Sequence, residues 1–255
     1  MTYDCEVCKD ATGYLVAEQY QAPDGSMHER EAWHVCECVV RKRVAKLIRK
    51  SHITPEFQII DFGNFTIDGK PRSVAAAYRM AKYYLQDFEQ LRFRRQNSMA
   101  LLGPPGSGKS HLLIAVANQL IVQGISVMYF PWVTGSNDLR GDNDSINNVL
   151  QAMRSCDVLY IDDLFQGRMF QGRPDPTTFQ KEFLYDVVND RYLNHRPLLV
   201  SSEHTIDVLL GVSETIGSRI YEMCKSFIMI VQLTEEERSK GMILNHRLAG
   251  MKAKG

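Results

Sequence analysis

No apolar run in the sequence approaches the ~18–20 residues that a bilayer-spanning helix needs, so a membrane protein is not expected. No basic n-region or apolar h-region follows Met1, so a secretory signal peptide is not expected either. Both absences point to the cytoplasm, where thiols stay reduced and structural disulfides are rare. The chain carries no excess charge: 30 Lys and Arg face 30 Asp and Glu. Bulk attraction to nucleic acid is therefore not indicated, and any such contact must come from a local patch. Internal repeats and low-complexity tracts are missing too, which leaves ordinary globular folding. Apolar residues make up 44% of 255 residues, enough for a core in one large domain or two smaller ones.

What is present begins with Gly103-Pro104-Pro105-Gly106-Ser107-Gly108-Lys109-Ser110. The run fits G-x-x-x-x-G-K-[ST], a loop whose backbone N–H groups turn inward onto phosphate oxygens. Lys109 is expected to reach the β- and γ-phosphates of ATP, and the Ser110 hydroxyl to ligate Mg²⁺. A Gly/Pro surface turn would read similarly in isolation. Its context favours the nucleotide loop: residues 99–102 read as a buried strand entering it. An apolar helix leaves it from His111 and stops at Gly124.

The six cysteines are unevenly placed. Cys5-x-x-Cys8 and Cys36-x-Cys38 fall near one end, while Cys156 and Cys224 stand alone in apolar surroundings and read as small core residues. Two close pairs can point four thiolates at one zinc ion. His34 is an alternative ligand for one of them. Buried free thiols or a redox C-x-x-C are the competing readings, and a redox motif leaves the second pair unexplained. The segment between the pairs, with Gly13 and Pro23-Asp24-Gly25, reads as strands and turns too short to fold without a metal.

Residues 39–50 read as a basic amphipathic helix carrying Arg41, Lys42, Arg43, Lys46, Arg49 and Lys50. It would suit DNA phosphates, an acidic partner surface, or simply solvent. The expected organisation is a zinc-binding, partner-contacting domain over 1–50, a linker over 51–70 and an ATPase domain over 71–255. Phe57, Phe62 and Phe65 would pin the linker to the next domain, and 73–95 would form a long helix. Beyond it, strand candidates at 99–102, 125–130, 158–161, 197–201 and 227–231 alternate with helix candidates at 110–123, 146–155 and 178–193. That alternation implies an α/β fold with a parallel sheet flanked by helices.

Val158-Leu159-Tyr160-Ile161-Asp162-Asp163 is an apolar strand ending in two acids. Asp162 would hold Mg²⁺ through water, and Asp163 would polarise the attacking water as general base. Pro197-Leu198-Leu199-Val200-Ser201-Ser202-Glu203 is a second such strand. Where P-loop ATPases carry an additional strand, it lies between these two motifs, so Ser202 or Glu203 would orient the lytic water; either would also serve as a strand cap. Arg219, in Gly217-Ser218-Arg219-Ile220, is a candidate arginine finger for a neighbouring subunit. Spacing alone does not select it over Arg191 or Arg196.

These blocks resemble the DnaC/DnaI-type replicative helicase loaders of bacteria and phages, within the AAA+ ATPases. The carriers are residues 103–110, Ile161-Asp162-Asp163-Leu164-Phe165, Arg191-Tyr192-Leu193-Asn194, Ser201-Ser202-Glu203 and residues 217–224. The cysteine set with Asp10-Ala11-Thr12-Gly13-Tyr14 is similar to the zinc-bearing, helicase-binding domain of such loaders. The resemblance implies an AAA+ P-loop core behind a small zinc domain. It implies ATP, Mg²⁺ and Zn²⁺ as cofactors, and a DnaB-type helicase and single-stranded DNA as partners. It further implies a homo-oligomer when ATP is bound, with Arg219 completing the site across the interface. Glu203 stands where many relatives carry Asn. Residues 244–255 are too short for a helical lid, and a sensor-2 arginine would be Arg238 or Arg247.

Two other functions share the loop. A transposition helper ATPase has the same core but does not account for the cysteine module. A small-metabolite kinase needs a basic substrate lid, and residues 135–148 offer only Arg140 among acidic and polar side chains.

Overall fold

A computed structural model describes residues 3–139 and 143–248; Arg140 and residues 249–255 lie outside the described residues. The chain opens with the cysteine-bearing turn and an antiparallel hairpin, β1 (Gly13–Gln21) and β2 (Met27–Val35). Gly25, at a left-handed φ of 85°, closes its turn, and Asp24 accepts from the Ser26 amide. Helix α1 (Glu37–Lys50) starts at Cys36, followed by α2 (Pro55–Gln58) and α3 (Arg72–Leu91). Helix α3 buries Val74, Ala77, Ala81, Tyr84 and Phe88, the i, i+3, i+4 stripe of a helix laid on a core.

The remaining elements are β3 (Met99–Leu102), α4 (Lys109–Val122), β4 (Val127–Pro131), α5 (Trp132–Asp138), α6 (Asn143–Ser155) and β5 (Val158–Asp162). A small hairpin follows, β6 (Met169–Phe170) and β7 (Arg173–Pro174). Then come α7 (Thr178–Leu193), β8 (Leu198–Ser202), α8 (Ile206–Val212), α9 (Glu214–Cys224), β9 (Ile228–Ile230), α10 (Glu235–Ser239) and a 3₁₀ turn (His246–Leu248). Helix α7 has the bounds its pattern predicts. Thr177 and Gln180 cap each other's amides there as a capping box.

Five strands form a parallel sheet in the order β4-β5-β8-β3-β9. Strands β3, β5 and β8 are buried on both faces and apolar up to the Asp162 and Ser201-Ser202 ends, and side-chain alternation sorts their residues. Leu101, Tyr129, Tyr160 and Leu199 join the core beneath α3 and α4. Leu102, Phe130, Ile161 and Val200 join the core beneath α7 and α9. The chain leaves β3 for the far edge and returns through β5 and β8. The carboxyl ends of β3, β8 and β5 therefore meet at one crevice, where ligands bind in open parallel sheets.

Residues 51–70 lie against α4. The Asn118 carboxamide donates to the Phe57 and Ile60 carbonyls at 2.8 Å each, and Phe57, Phe62 and Phe65 pack on the core. The Ser51 carbonyl accepts from the Tyr129 amide at 2.7 Å, covering part of edge strand β4. Helix α1 packs through Val44, Leu47 and Ile48, and Arg43 donates to the Gly124 carbonyl at α4's end. Among the described residues no helix is long and apolar enough to cross a membrane.

Candidate nucleotide site and cysteine cluster

The loop between β3 and α4 depends on glycine at two places. Gly103 has φ 131°, and a Cβ there would lie 2.3 Å from the Val231 carbonyl oxygen. Gly108 begins α4 at φ 89°, where a Cβ would lie 2.9 Å from the Phe65 ring. Neither Gly103 nor Pro104 lines the cavity beside the loop. Gly103 donates its amide to the Ser202 carbonyl, and the Pro104 carbonyl accepts from Ser107 Oγ and Lys109 Nζ. Lys109 is 4% exposed. Burial lowers its pKa, while Asp163, Glu203 and Asp162 pull the other way.

The cavity measures about 460 Å³. Phe57, Ile60 and Phe65 form an apolar end suited to a flat base. Residues 105–111 form the opposite wall at the N-terminus of α4, a ready anion site. His111 closes one side, with its ring 5.0 Å from Phe65 and Nε2 3.0 Å from Asn64 Oδ1. Asp163 and Glu203 supply acids, and Gln166, His246 and Arg247 complete the rim. Of the two C-terminal arginines, Arg247 therefore reaches the site. Its segment is tied down by the His246 amide donating to the Gly106 carbonyl at 3.0 Å.

Asp162 sits just behind, 6% exposed, as the focus of four hydroxyls. Ser110, Tyr160 and Ser201 donate to Oδ1 and Tyr129 to Oδ2. Ser110 and Asp162 are 2.8 Å apart, a pairing of oxygen donors that fits Mg²⁺. Three of those hydroxyls were not among the expected site residues. Tyr160 was within reach of a closer reading, because it lies two residues before Asp162 on the same strand face. Tyr129 and Ser201 depend on strand pairing, Tyr129 lying opposite Tyr160.

Ser202 needs correction as a water-orienting residue. Its hydroxyl points to the other face of β8, fully buried, donating to the Leu164 carbonyl at 2.7 Å. Ser201 faces the acids instead, donating to Asp162 and accepting from the Asp163 amide at 2.7 Å. Glu203 does reach the cavity. Asp163 adopts a left-handed φ of 54°. Burial, and next the Asp162 charge, raise its pKa to about 6.

Arg191, Arg196 and Arg219 now separate. Arg191 is fully buried and donates to the Met153, Cys156, Asp157 and Pro197 carbonyls, a structural staple. Arg196 donates to the Arg154 carbonyl. Arg219 is half-buried on α9 over the Tyr185 and Tyr192 rings, outside the lining of its own chain's cavity.

At the other end, the Cys5, Cys8, Cys36 and Cys38 sulfurs all lie within 4.8 Å of one another, buried. A tetrahedral zinc site with ~2.3 Å bonds sets its sulfurs about 3.7 Å apart. Cys5–Cys36 measures 3.7 Å and Cys8–Cys38 3.4 Å, so the set fits zinc. Within this set the Cys8 amide leads in lowering the Cys5 thiol to about 6, while the Cys8 side chain leads in raising Cys38 to about 12, so one thiolate is favoured at the expense of its neighbours until a cation joins them. His34 is not part of the cluster: its Nε2 lies 2.7 Å from Glu18 Oε1 on the exposed hairpin. Asp10 accepts the Asp4 and Cys5 amides and the Lys42 ammonium, fastening the cluster to α1.

A parallel sheet in this order, with the glycine loop after β3 and the acids at the end of β5 two positions away, defines a P-loop nucleotide-binding domain of the α/β class. Comparison with known proteins makes the assignment narrower. The profile of the family described as IstB-like ATP binding protein matches residues 41–209, and the chain belongs to that family. It is 43% identical to the phage-like element PBSX protein XkdC of Bacillus subtilis (strain 168), over 98% of this chain and 88% of that protein. Among solved structures, DnaI superposes with a TM-score of 0.57 at 17% identity, covering 73% of this chain and 98% of DnaI. The DnaC helicase loader superposes with a TM-score of 0.56 at 18% identity, covering 70% and 100%. At such identities the superpositions speak for the fold.

Proposed function

We propose that this protein is an ATP-hydrolysing replication factor that grips a hexameric replicative helicase, helps place it on single-stranded DNA and releases it on hydrolysis. The observation that carries this reading is the joining, in one chain, of a four-cysteine module to a DnaC-like nucleotide core. Membership of an ATP-binding family and the likeness in fold to a helicase loader support it.

In this reading the base of ATP enters the Phe57–Ile60–Phe65 end, and the phosphates lie on the amides of 105–110. Lys109 leaves the Pro104 carbonyl for the β/γ-phosphate oxygens. Ser110 and Asp162 would hold Mg²⁺, which supplies charge neutralisation for the phosphates. Asp163 accepts the proton as a water oxygen bonds to the γ-phosphorus and the β–γ bridging bond breaks, leaving ADP and phosphate. Glu203 and Arg247 flank that water. Arg219 of an adjacent copy offsets the charge that develops. ATP must bind the assembled state better than the free one for hydrolysis to release anything.

A helper ATPase serving a transposase shares every feature of this core, and the cysteine cluster is what weighs against it. Pull-down of the purified chain, with a non-hydrolysable ATP analogue, separates the two. Retention of the replicative helicase is expected; retention of a transposase and no helicase would overturn the proposal.

A further inference from the structure

The β1–β2 hairpin has two faces of opposite character, and one of them has no use within the fold. Among the described residues its strands pair with each other and with no third strand. The register puts Tyr14 opposite His34, Glu18 opposite Arg30 and Tyr20 opposite His28 on one face. That face satisfies itself. Tyr14 stacks on His34, Tyr20 packs on His28, and Arg30 lies 5.4 Å over the Tyr20 ring. Glu18 takes both His34 and Arg30.

The other face pairs Leu15 with Trp33 and Gly13 with Val35, and next along it stand Ala17 with Glu31 and Gln19 with Glu29. Leu15 is 57% exposed, Trp33 55% and Val35 66%. Trp33 is nevertheless fixed: a Cβ on Gly13 would lie 2.5 Å from the indole, so the ring rests on the glycine backbone. Among the described residues, Glu29 and Glu31 enter no ion pair and stand exposed beside this apolar patch.

We propose that the Leu15–Trp33–Val35 face is the docking surface for the helicase, and that it fits an apolar pocket rimmed by lysine or arginine. This rests on the helicase-gripping role proposed above. A tryptophan held in place before binding costs little ordering entropy and is the residue type that most often anchors an interface. The two carboxylates decide the class of partner. They repel nucleic-acid phosphates and anionic lipid headgroups, which an exposed tryptophan alone would tolerate. They complement a basic rim on a protein surface.

The test measures affinity of the full-length chain for the purified replicative helicase hexamer of the same organism, by fluorescence anisotropy. Zinc content and ATP binding serve as folding controls. Trp33→Ser with Leu15→Ser is expected to weaken binding by ~30-fold or more, as loss of an anchor does. Glu29→Lys with Glu31→Lys, surface changes that leave the hairpin intact, is expected to weaken it by about 10-fold and to reverse its dependence on salt. Tyr20→Ser, on the self-satisfied face, is expected to bind as the wild type does. If the wild type binds and the Trp33 and Glu29/Glu31 variants bind equally well, or if Tyr20→Ser loses as much, this assignment falls while the helicase role stands. A Trp33 variant that loses only self-association also overturns it, by giving the face to a second copy. A wild type that binds no helicase overturns the role itself.

Discussion

Asp163 concentrates the chemistry of the site in one side chain. Its carboxyl is raised to about 6 by burial and by Asp162, so it is ionised and able to accept a proton only above that pH. Hydrolysis should therefore fall as pH drops through about 6. The same shift has a stability sign. A carboxylate pKa raised in the folded state favours folding at low pH; that contribution is complete below the ordinary value of 3.8 and is lost progressively as pH rises from there to about 6. Asp163→Asn, which tolerates the left-handed backbone, is expected to lower kcat by ~10²–10⁴-fold. It should also raise Tm at pH 8 and raise it less at pH 5, the difference from wild type vanishing only below the ordinary carboxyl value of 3.8. Single-turnover hydrolysis and calorimetry at the two pH values check both halves; an unchanged kcat removes Asp163 from the base role. At this scale the glycine loop and the Asp pair were legible because their chemistry is local in sequence. Ser201 in place of Ser202, and Tyr129 facing Asp162, were not, because a one-residue difference in facing or a cross-strand pair is set by the sheet.

Among elements, the hairpin and its cysteines are the least self-sufficient. A two-stranded ribbon is marginal by itself, and this one leaves most of its side chains in water. Structural zinc contributes about 10–16 kcal/mol at pH 7, far more than the ribbon can supply. Removing zinc with a chelator, or replacing Cys8 with Ser, should abolish amide protection across 13–35 in hydrogen exchange. ATP binding, which rests on β3, α4 and β5, should persist. Less than one zinc per chain in the purified protein would contradict the four-cysteine site. The spacing of the two pairs makes this cluster readable in advance, as the pattern over 178–193 does for α7. The β6–β7 hairpin escaped because Arg168-Met169-Phe170-Gln171-Gly172-Arg173 offers only two residues per strand, too few for a period to show. Phe57, Phe62 and Phe65 made the packing of 51–70 on the next domain legible, whereas the Asn118 carboxamide that ties the segment to α4 escaped because nothing local in sequence marks its partners.

On the scale of the whole molecule, zero net charge leaves recognition to local features: the hairpin face at one end and the nucleotide cavity at the other. Helix α1 stands between them, tied to the cysteine module by Lys42 and to α4 by Arg43. That gives a short mechanical path from the cysteine module to the helix carrying Lys109 and Ser110. Arg219 lies outside its own chain's cavity, over two tyrosine rings, and the proposed function assigns it to a neighbouring copy's site. In the proposed function this site turns ATP over slowly by itself and reaches its full rate when partner, DNA and adjacent copies assemble around it. Steady-state ATP hydrolysis, with and without the replicative helicase and single-stranded DNA, tests that claim most directly. The predicted result is a slow basal rate that rises at least ~10-fold when both are present, and an Arg219→Ala chain that binds ATP normally but loses that rise. A rate indifferent to helicase and DNA, or an Arg219→Ala chain stimulated as fully as the wild type, would contradict it.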